Sequence, residues 1–393
     1  MLFLFVRSNK VAYNPEIMAL AFHRKYRPKK LDDLVGQEEN IAILRNGAKE
    51  NRLGQAYLFY GPRGTGKTTT ARLLAKLLNC ERRHDDPAFM AKGEACGECN
   101  ACRDIENLSA IDLIEIDAAS NRGIDEIRNL KENIRTVPAA HRYKVYIIDE
   151  AHMLTREAAN ALLKTLEEPP AHAALILATT EYEKLPPTIT SRTQRFIFKK
   201  LPKTIILKKL KTIVGAEKIQ IEDNALELIA ASGEGSLRDA ESLLDQVSSL
   251  ASTTKNKAGQ TITLDYVEKM TGRVGLRTVT QVAEKIVSKD LKGTLGALSE
   301  IEEGGHDPVR FTRDLIHYLR KAVSLKLNPD LSLQFLMDLT DEELKDLQKI
   351  AAKIEPKDGA LLLRSLIRAY ADMRYSPFAL IPLEVALTEH LGK

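Results

Sequence analysis

The feature that most constrains this chain is a glycine-rich segment, G-x-x-x-x-G-K-T, that runs from Gly61 to Thr68. Five apolar and aromatic residues (56–60) precede it and suit a buried strand, and leucines at helical spacing (69–78) follow it. Glycines allow consecutive backbone N–H groups to turn inward around phosphate oxygens at the positive end of a helix. In this strand–loop–helix context the pattern predicts a nucleotide-binding P-loop.

The residues of this loop have separate roles in holding a nucleoside triphosphate. Lys67 supplies a point charge for the β- and γ-phosphates, and the Thr68 hydroxyl is a ligand for Mg²⁺. The predicted nucleotide-binding residues of the loop are Gly61, Pro62, Arg63, Gly64, Thr65, Gly66, Lys67, Thr68 and Thr69.

A second chemical feature is the acidic pair Asp149 and Glu150. The pair ends an apolar run (145–148) that suits a buried parallel strand, and ligands bind at the carboxyl ends of such strands. Asp149 is predicted to hold Mg²⁺ through water, and Glu150 to accept a proton from the attacking water or to orient it. Because acidic pairs after strands are also common helix caps, the pair indicates hydrolysis only in combination with the P-loop.

Thr180 ends another apolar run (174–178), which predicts a strand beside that of Asp149. From that position the Thr180 hydroxyl can reach the γ-phosphate or the attacking water. The alternative is an ordinary threonine at the end of a strand.

From residue 201 onward only helical periodicity remains, and Arg238 is the notable residue of this part. The segment from Ser236 to Asp239 looks like a capping box, which places Arg238 in the first turn of a helix. The helix dipole disfavours a cation there. We therefore interpret Arg238 as a phosphate ligand, and a side chain that simply extends into solvent is the alternative.

Four cysteines follow the spacing C-x15-C-x2-C-x2-C, at Cys80, Cys96, Cys99 and Cys102. Thiolates three residues apart converge easily on one tetrahedral ion, and four of them close a structural Zn²⁺ site with no open position for water. Reduced, unliganded cysteines are the alternative, although free cysteines usually lie among apolar residues. Cys80 is separated from the others, so His84 is a possible substitute for it.

The totals set only broad limits. The chain has 393 residues, enough for two or three domains, and 58 basic residues against 54 acidic ones, so net charge does not by itself predict nucleic-acid binding. No segment is long and apolar enough to be a signal peptide or a membrane span, and we expect a cytoplasmic protein without membrane partners. The basic run 23–30 is interpreted as a solvated approach to the nucleotide.

These motifs together resemble AAA+ clamp-loader ATPases, and more narrowly the tau/gamma subunits of bacterial DNA polymerase III. The segments that carry the resemblance are Tyr26-Arg27-Pro28, Val35-Gly36-Gln37-Glu38, Gly61–Thr68, the four cysteines, Ile116–Ser120, Val145–His152, Ala178–Thr180, Ser191-Arg192 and Gly235–Asp239. The resemblance implies that the nucleotide is ATP. It also implies that Arg192 is an arginine finger and that Glu150, Lys67 and Thr180 act with it in catalysis, with Arg195 as a rival for the finger.

The resemblance also implies a fold. We expect an α/β P-loop AAA+ domain with a parallel sheet, then a small helical lid domain, then an all-α C-terminal oligomerisation domain. The expected boundaries are 1–17 for an N-terminal extension, with Met18 as a possible true start, 18–200 for the ATPase domain with its zinc-binding insertion at 80–102, 201–272 for the lid and 273–393 for the helical collar.

Members of this family act in assemblies. Three such subunits join the related delta and delta prime subunits in a five-membered arc. The implied partners are those subunits, further copies of this chain, the sliding clamp and primer-template DNA. ATP binding lets the arc open the clamp, and hydrolysis releases the clamp on primed DNA. The alternatives are a non-hydrolysing scaffold subunit and an AAA+ DNA translocase. The intact Gly66-Lys67-Thr68 and Asp149-Glu150 argue against the scaffold, which has no need for them.

Three departures from the family pattern stand out. The interval between Cys80 and Cys96 is longer than is usual in the family, which weakens the assignment of Cys80 as a ligand. Thr193 replaces the cysteine that commonly follows the finger arginine, which is itself kept. The chain also ends after the third, helical domain, so it resembles the short gamma form without the polymerase- and helicase-binding tails of tau.

Overall fold

The core of the first domain is a five-stranded parallel sheet. The computed structural model describes residues 20–121, 123–253, 261–336 and 339–392, so the predicted N-terminal extension lies outside the described residues. The strands are β1 Ala56–Tyr60, β2 Leu113–Asp117, β3 Lys144–Asp149, β4 Ala173–Thr179 and β5 Gln194–Ile197. Their spatial order is β2-β3-β4-β1-β5. The predicted parallel sheet is confirmed, with β4 between the P-loop strand and the Asp149 strand.

The sheet is buried on both faces, which explains why its central strands read as continuous apolar runs. All seven residues of β4 are buried. Helices cover both faces of the sheet, and the helices of this domain are α1 Phe22–Lys25, α2 Glu38–Lys49, α3 Lys67–Asn79, α4 Glu81–Asp85, α5 Pro87–Met90, α6 Asn100–Glu106, α7 Ile124–Asn133, α8 Arg156–Glu167 and α9 Pro187–Thr190.

Alternate side chains of each strand feed two separate cores. Phe59 and Ile147 point to the face covered by α2, α3 and α6. Leu58 and Ile148 point to the opposite face, which α7 and α8 cover. This alternation fixes the register of the sheet, because a slip of one residue would exchange the two sets of side chains.

Four helices follow the sheet, and a short segment before the sheet packs with them. They are α10 Lys203–Glu217, α11 Asp223–Ser232, α12 Leu237–Thr253 and α13 Leu264–Thr271. Phe22 is buried in the core of these helices, and Tyr26 and Val35 pack against it. The segment before the P-loop therefore belongs structurally to the small helical unit, and the expectation of a merely solvated basic run was too simple.

The remaining described residues form an all-helical region with its own apolar core. Its helices are α14 Leu276–Val287, α15 Leu291–Glu303, α16 Pro308–Leu327, α17 Ser332–Phe335, α18 Asp341–Lys353, α19 Pro356–Met373 and α20 Ile381–Leu391. Lys203 of α10 pairs with Glu343 of α18 at 2.7 Å, which ties this region to the preceding helices. Within the described residues, every helix is too short or too polar to cross a membrane.

Candidate functional site

The P-loop connects β1 to α3 and takes the conformation that its glycines permit. Gly61, Gly64 and Gly66 have φ angles of 145°, 71° and 104°. A β-carbon on Gly61 would lie 2.1 Å from the carbonyl oxygen of Phe198, so close backbone packing also requires glycine there. The loop thus forms a compact cradle at the N-terminus of α3, a geometry that suits phosphate binding.

Lys67 is folded back over this cradle. Its Nζ donates hydrogen bonds of 2.8 Å to the carbonyl oxygens of Gly61 and Pro62. Burial lowers the pKa of Lys67, while the nearby carboxylates of Glu150 and Asp149 act to raise it. A charged amine held in a buried cradle by neutral carbonyl groups is well suited to exchange them for phosphate oxygens.

The carboxyl ends of β1 and β3 bring together the two side chains predicted to hold magnesium. Thr68 Oγ1 donates a hydrogen bond of 2.7 Å to Asp149 Oδ2. A hydroxyl and a carboxylate are the oxygen ligands that Mg²⁺ accepts in nucleotide sites, where it keeps several waters and uses phosphate oxygens as well. The donor set therefore fits this ion.

Glu150 stands at a sharp turn beside this pair. Its φ of 48° is in the left-handed region, which residues other than glycine rarely adopt. Residues with such backbone angles cluster at functional sites. Glu150 Oε2 accepts hydrogen bonds from Thr180 Oγ1 at 2.9 Å and from the Thr180 backbone at 3.3 Å. The two residues predicted to act on water are therefore in direct contact across β3 and β4.

His152 is a further residue of this site that the sequence reasoning did not single out. Its Nδ1 lies 2.9 Å from Thr179 Oγ1 and 3.4 Å from Glu150 Oε2, and its Nε2 lies 3.3 Å from Glu181 Oε1. The imidazole thus lies beside the carboxylate of Glu150 and helps to hold it in place. The signal that could have identified His152 is its position two residues after Glu150.

A cavity opens between the P-loop, the N-terminal segment and α12. The predicted residues that line it are Arg63, Gly64, Thr65, Gly66, Lys67, Thr68, Thr69, Asp149, Glu150 and Arg238. Its remaining lining includes His23 and Arg27 from the basic run and several apolar side chains. Thr180 reaches the site through Glu150, while Arg192 is absent from the lining.

The start of α12 lies directly on the P-loop. Ser236 Oγ accepts a hydrogen bond of 3.2 Å from the backbone N–H of Asp239, which is the forward half of the predicted capping box. A β-carbon on Gly64 would fall 1.8 Å from Ser236 Oγ and 3.4 Å from the β-carbon of Arg238. Arg238 is therefore held beside the phosphate cradle, in the first turn where the dipole disfavours it.

Arg192 lies at the opposite end of the sheet. It precedes β5, whose first residue, Gln194, pairs with Tyr57 near the start of β1, whereas the P-loop follows the end of β1. Arg192 Nε donates a hydrogen bond of 2.6 Å to Glu167, and Arg192 Nη2 also pairs with that carboxylate. Arg195, the rival, donates to the Tyr182 hydroxyl at 3.2 Å.

The four cysteines meet in space. The sulfurs of Cys80, Cys96, Cys99 and Cys102 all lie within 4.8 Å of one another, and those of Cys96 and Cys102 are 3.9 Å apart. Two thiolates bound tetrahedrally to one zinc ion at ~2.3 Å are separated by about 3.8 Å, so this group could hold zinc. His84 instead contacts the carbonyl oxygen of Leu78 at 2.8 Å, which leaves Cys80 as the fourth ligand.

A buried arginine supports the cysteine group from within. Arg83 is 1% exposed and donates to the carbonyl oxygens of Ala48 and Leu77 at 2.7 and 3.1 Å. Burial lowers the pKa of Arg83, and the proximity of Cys80 opposes that shift. A hydrogen bond from the Cys102 thiol in turn lowers the pKa of Cys80. The surroundings therefore favour thiolate at Cys80, the form that binds a metal.

Comparison with protein-family models finds three successive matches. Residues 36–202 match the DNA polymerase III delta subunit model, residues 205–252 match the ATPase lid domain of the DNA polymerase III clamp loader subunit, and residues 262–389 match domain III of DNA polymerase III subunits gamma and tau. The solved structures that resemble this chain include the Bacillus subtilis DNA clamp loader delta protein (TM-score 0.40, 14% identity, 90% of this chain and 99% of that chain) and the Thermotoga maritima RuvB Holliday junction branch migration motor (0.46, 20%, 70% and 85%).

Curated relatives extend over nearly the whole chain. It is 40% identical over 369 residues to DNA polymerase III subunit tau of Bacillus subtilis, which covers 94% of this chain and 62% of that protein. It is 38% identical to subunit tau of Escherichia coli, with 94% and 55% covered, and 41% identical to subunit gamma/tau of Mycoplasma pneumoniae, with 76% and 42% covered. The chain thus spans between 42% and 62% of the length of these relatives. It belongs to the tau/gamma family of DNA polymerase III clamp-loader subunits.

Proposed function

We propose that this chain is an ATP-hydrolysing motor subunit of a DNA polymerase III clamp loader. One observation carries the proposal: the P-loop, the Thr68–Asp149 pair and the Glu150–Thr180 pair meet at the carboxyl ends of neighbouring strands, beside the start of α12. A scaffold that binds nucleotide without hydrolysing it would need the P-loop but not the Glu150–Thr180 pair. The complete set favours hydrolysis.

Each residue has a defined task in this proposal. Lys67 binds phosphate oxygens in place of its two carbonyl partners, and Thr68 and Asp149 hold Mg²⁺, which supplies charge neutralisation on the phosphates. Glu150 orients the attacking water and accepts its proton, and Thr180 fixes the carboxylate that does so. Arg238 contacts the phosphates from the lid, where the P-loop N–H groups already favour anions.

Two substitutions test the motor. Lys67→Ala should abolish ATP binding, because it removes the buried charge of the cradle. Glu150→Gln should bind ATP normally and hydrolyse it about 10² times more slowly, because it keeps the shape and loses the proton acceptor. Binding is measured with a fluorescent ATP analogue and turnover by phosphate release. Glu157→Gln, an exposed residue at the start of α8, is the matched control.

Two outcomes would contradict this proposal. Undiminished turnover in Glu150→Gln would remove Glu150 from the reaction. A wild-type chain that binds no ATP would contradict the proposal as a whole.

We further propose that Arg192 acts on the nucleotide of a neighbouring subunit. It lies at the end of the sheet remote from its own P-loop, so it can meet a phosphate only across an interface. Its guanidinium pairs with Glu167 at the end of α8, and the Arg192 side chain remains 32% exposed, which leaves it accessible to another subunit. In general an arginine finger contributes on the order of 10³-fold or more in rate.

Mixing subunits tests this role. Arg192→Ala subunits should bind ATP in their own sites yet fail to stimulate their neighbours, and mixtures with Lys67→Ala subunits should recover part of the activity. Arg192→Lys should not restore it, because an ammonium lacks the planar fork of guanidinium. Arg195→Ala is the control. The assignment is wrong if Arg192→Ala hydrolyses ATP normally in the full assembly, or if Arg195→Ala gives the same defect.

The proposed partners are the delta and delta prime subunits, further copies of this chain, the sliding clamp and primer-template DNA. The last two helices and the segment between them support partnership with other subunits, because they expose large apolar side chains of the kind that subunit contacts bury. These side chains are Leu361, Ile367, Tyr375, Phe378, Ile381 and Val385. Loading of a ring onto primed circular DNA by the reconstituted assembly tests the remaining partners.

A further inference from the structure

Glu241 is a buried carboxylic acid in the wall of the nucleotide cavity. It lies on α12, one helical turn after Leu237, and both side chains line the cavity that the P-loop also lines. Glu241 is only 4% exposed. Its Oε1 has no hydrogen-bond partner in the described part of the chain. A buried acceptor without a partner is costly, and in a ligand cavity it indicates a group that the ligand satisfies.

The cavity lining combines two chemically different surfaces. The P-loop and the two acidic residues after β3 form a surface suited to phosphate and metal. Pro28, Leu34, Val35 and Leu237 supply an apolar surface that suits the flat face of a nucleobase. Glu241 lies one helical turn after Leu237 on α12 and lines the same cavity. The carboxyl group therefore belongs to the helix that supplies part of this apolar surface.

The charge state of this carboxyl group decides what it can bind. Burial raises the pKa of Glu241 to about 8, and Lys209 on α10 opposes this shift only in part. The other charged or titratable side chains around the cavity are His23 and Arg27 from the N-terminal segment, Arg63 and Lys67 from the loop, Asp149 and Glu150 after β3, and Arg238 on α12. None of them forms an ion pair with Glu241 in the described ranges. At neutral pH the group is protonated and offers one donor and one acceptor.

We propose that Glu241 binds the edge of the adenine base, accepting a hydrogen bond from the 6-amino group and donating one to the adjacent ring nitrogen. Adenine presents this pair of groups at N6 and N7, where guanine presents two acceptors. A protonated carboxyl group matches the adenine pattern, while an ionised carboxylate can only accept. The inference rests on the proposed function, since it assigns a base contact within the proposed ATP site.

The test compares ATP with purine riboside triphosphate, which lacks the 6-amino group. The wild-type chain should prefer ATP about tenfold, because the analogue leaves the buried acceptor of Glu241 without a hydrogen-bond partner. Glu241→Gln, which keeps a donor and an acceptor, should retain the preference. Glu241→Leu places an apolar side chain in the same apolar wall, and it should bind both nucleotides with nearly equal affinity. Thermal unfolding of both variants checks that they are folded.

The pH dependence gives a second, independent readout. Above about pH 8 the wild-type affinity for both nucleotides should decline, because ionised Glu241 can no longer donate to the ring nitrogen, whereas Glu241→Gln should keep its affinity at every pH. The inference is overturned if folded Glu241→Leu keeps the preference, or if wild type and Glu241→Gln respond alike to pH. Failure of the wild-type chain to bind any ATP would instead contradict the proposed function.

Discussion

Replacing Gly64 by alanine should separate the lid from the P-loop. Gly64 has a φ of 71°, and an added β-carbon would lie 1.8 Å from Ser236 Oγ and 2.9 Å from Ser236 Cβ. Rotation of the Ser236 side chain relieves the first contact and breaks its hydrogen bond to the backbone of Asp239. The second contact remains shorter than real β-carbons tolerate, so the start of α12 has to move.

The cost can be divided into two parts. The left-handed backbone conformation costs an L-residue about 1–2 kcal/mol wherever it occurs. Loss of the serine cap costs ~1 kcal/mol more and falls on the contact between α12 and the P-loop. Since ~1.4 kcal/mol corresponds to a factor of ten, the ~1 kcal/mol loss predicts that Gly64→Ala binds ATP about fivefold more weakly than a variant with the backbone strain alone.

Gly305→Ala supplies that control. Gly305 has a φ of 74°, and a β-carbon there would meet nothing within 4 Å. Both variants should lose thermal stability through the backbone strain, Gly64→Ala by ~1 kcal/mol more, and only Gly64→Ala should lose affinity in a fluorescent-nucleotide titration. Adding Ser236→Gly to Gly64→Ala removes the contacting atoms, and because glycine at an N-cap costs only a few tenths of a kcal/mol relative to serine, the double variant should recover most of the binding. Equal affinities for the two single variants, or a double variant as weak as Gly64→Ala, would refute the steric explanation.

Three further predictions concern metal, pH and the histidine. Cys99→Ser should lower bound zinc from one ion per chain to none, as measured by elemental analysis, while ATP binding persists because the P-loop lies at the other end of α3; full zinc retention would contradict the site. Because folding raises the pKa of Glu241 from 4.5, its ordinary value, to about 8, its contribution to stability is complete below pH 4.5 and declines as the pH rises toward 8. Denaturant unfolding should therefore show Glu241→Gln gaining stability over wild type between about pH 5 and pH 8, and a constant difference would refute this. His152→Ala should slow hydrolysis by up to roughly 10²-fold with ATP affinity unchanged, because it loosens Glu150; unchanged turnover would make His152 merely structural.

The sequence could indicate which residues come together around the P-loop because the signals there are local. Strand, glycine loop and helix follow one another in the chain, so Lys67 and Thr68 could be placed without knowing the fold. Asp149 and Thr180 were placed by one topological rule, that parallel strands present their carboxyl ends at one edge. The rule was sufficient because β4 pairs with both β1 and β3.

The part of the cavity lining that contains Leu237 and Glu241 was not predictable in the same way. Glu241 reads as one more polar residue on an amphipathic helix, and its burial in the cavity wall depends on how α12 packs in the folded chain. Phe22 and Val35 fall within the predicted ATPase domain (18–200), yet their side chains pack with helices that come much later in the chain. Such contacts depend on how two units dock, and no short pattern in the sequence specifies that geometry.

The elements around the nucleotide cavity are linked to the rest of the chain. The segment around Phe22 packs in the core of the lid helices and also lines the nucleotide cavity nearby, through His23 and Arg27. Lys203, at the start of the same helical unit, pairs with Glu343 of the C-terminal region. A displacement of α12 relative to the P-loop would therefore involve a helical unit that is linked to both the N-terminal segment and the C-terminal helices. A ligand shifts such an equilibrium only as far as its contacts differ between the two positions, so under the proposed function Arg238 and Glu241 are the side chains whose contacts would have to differ.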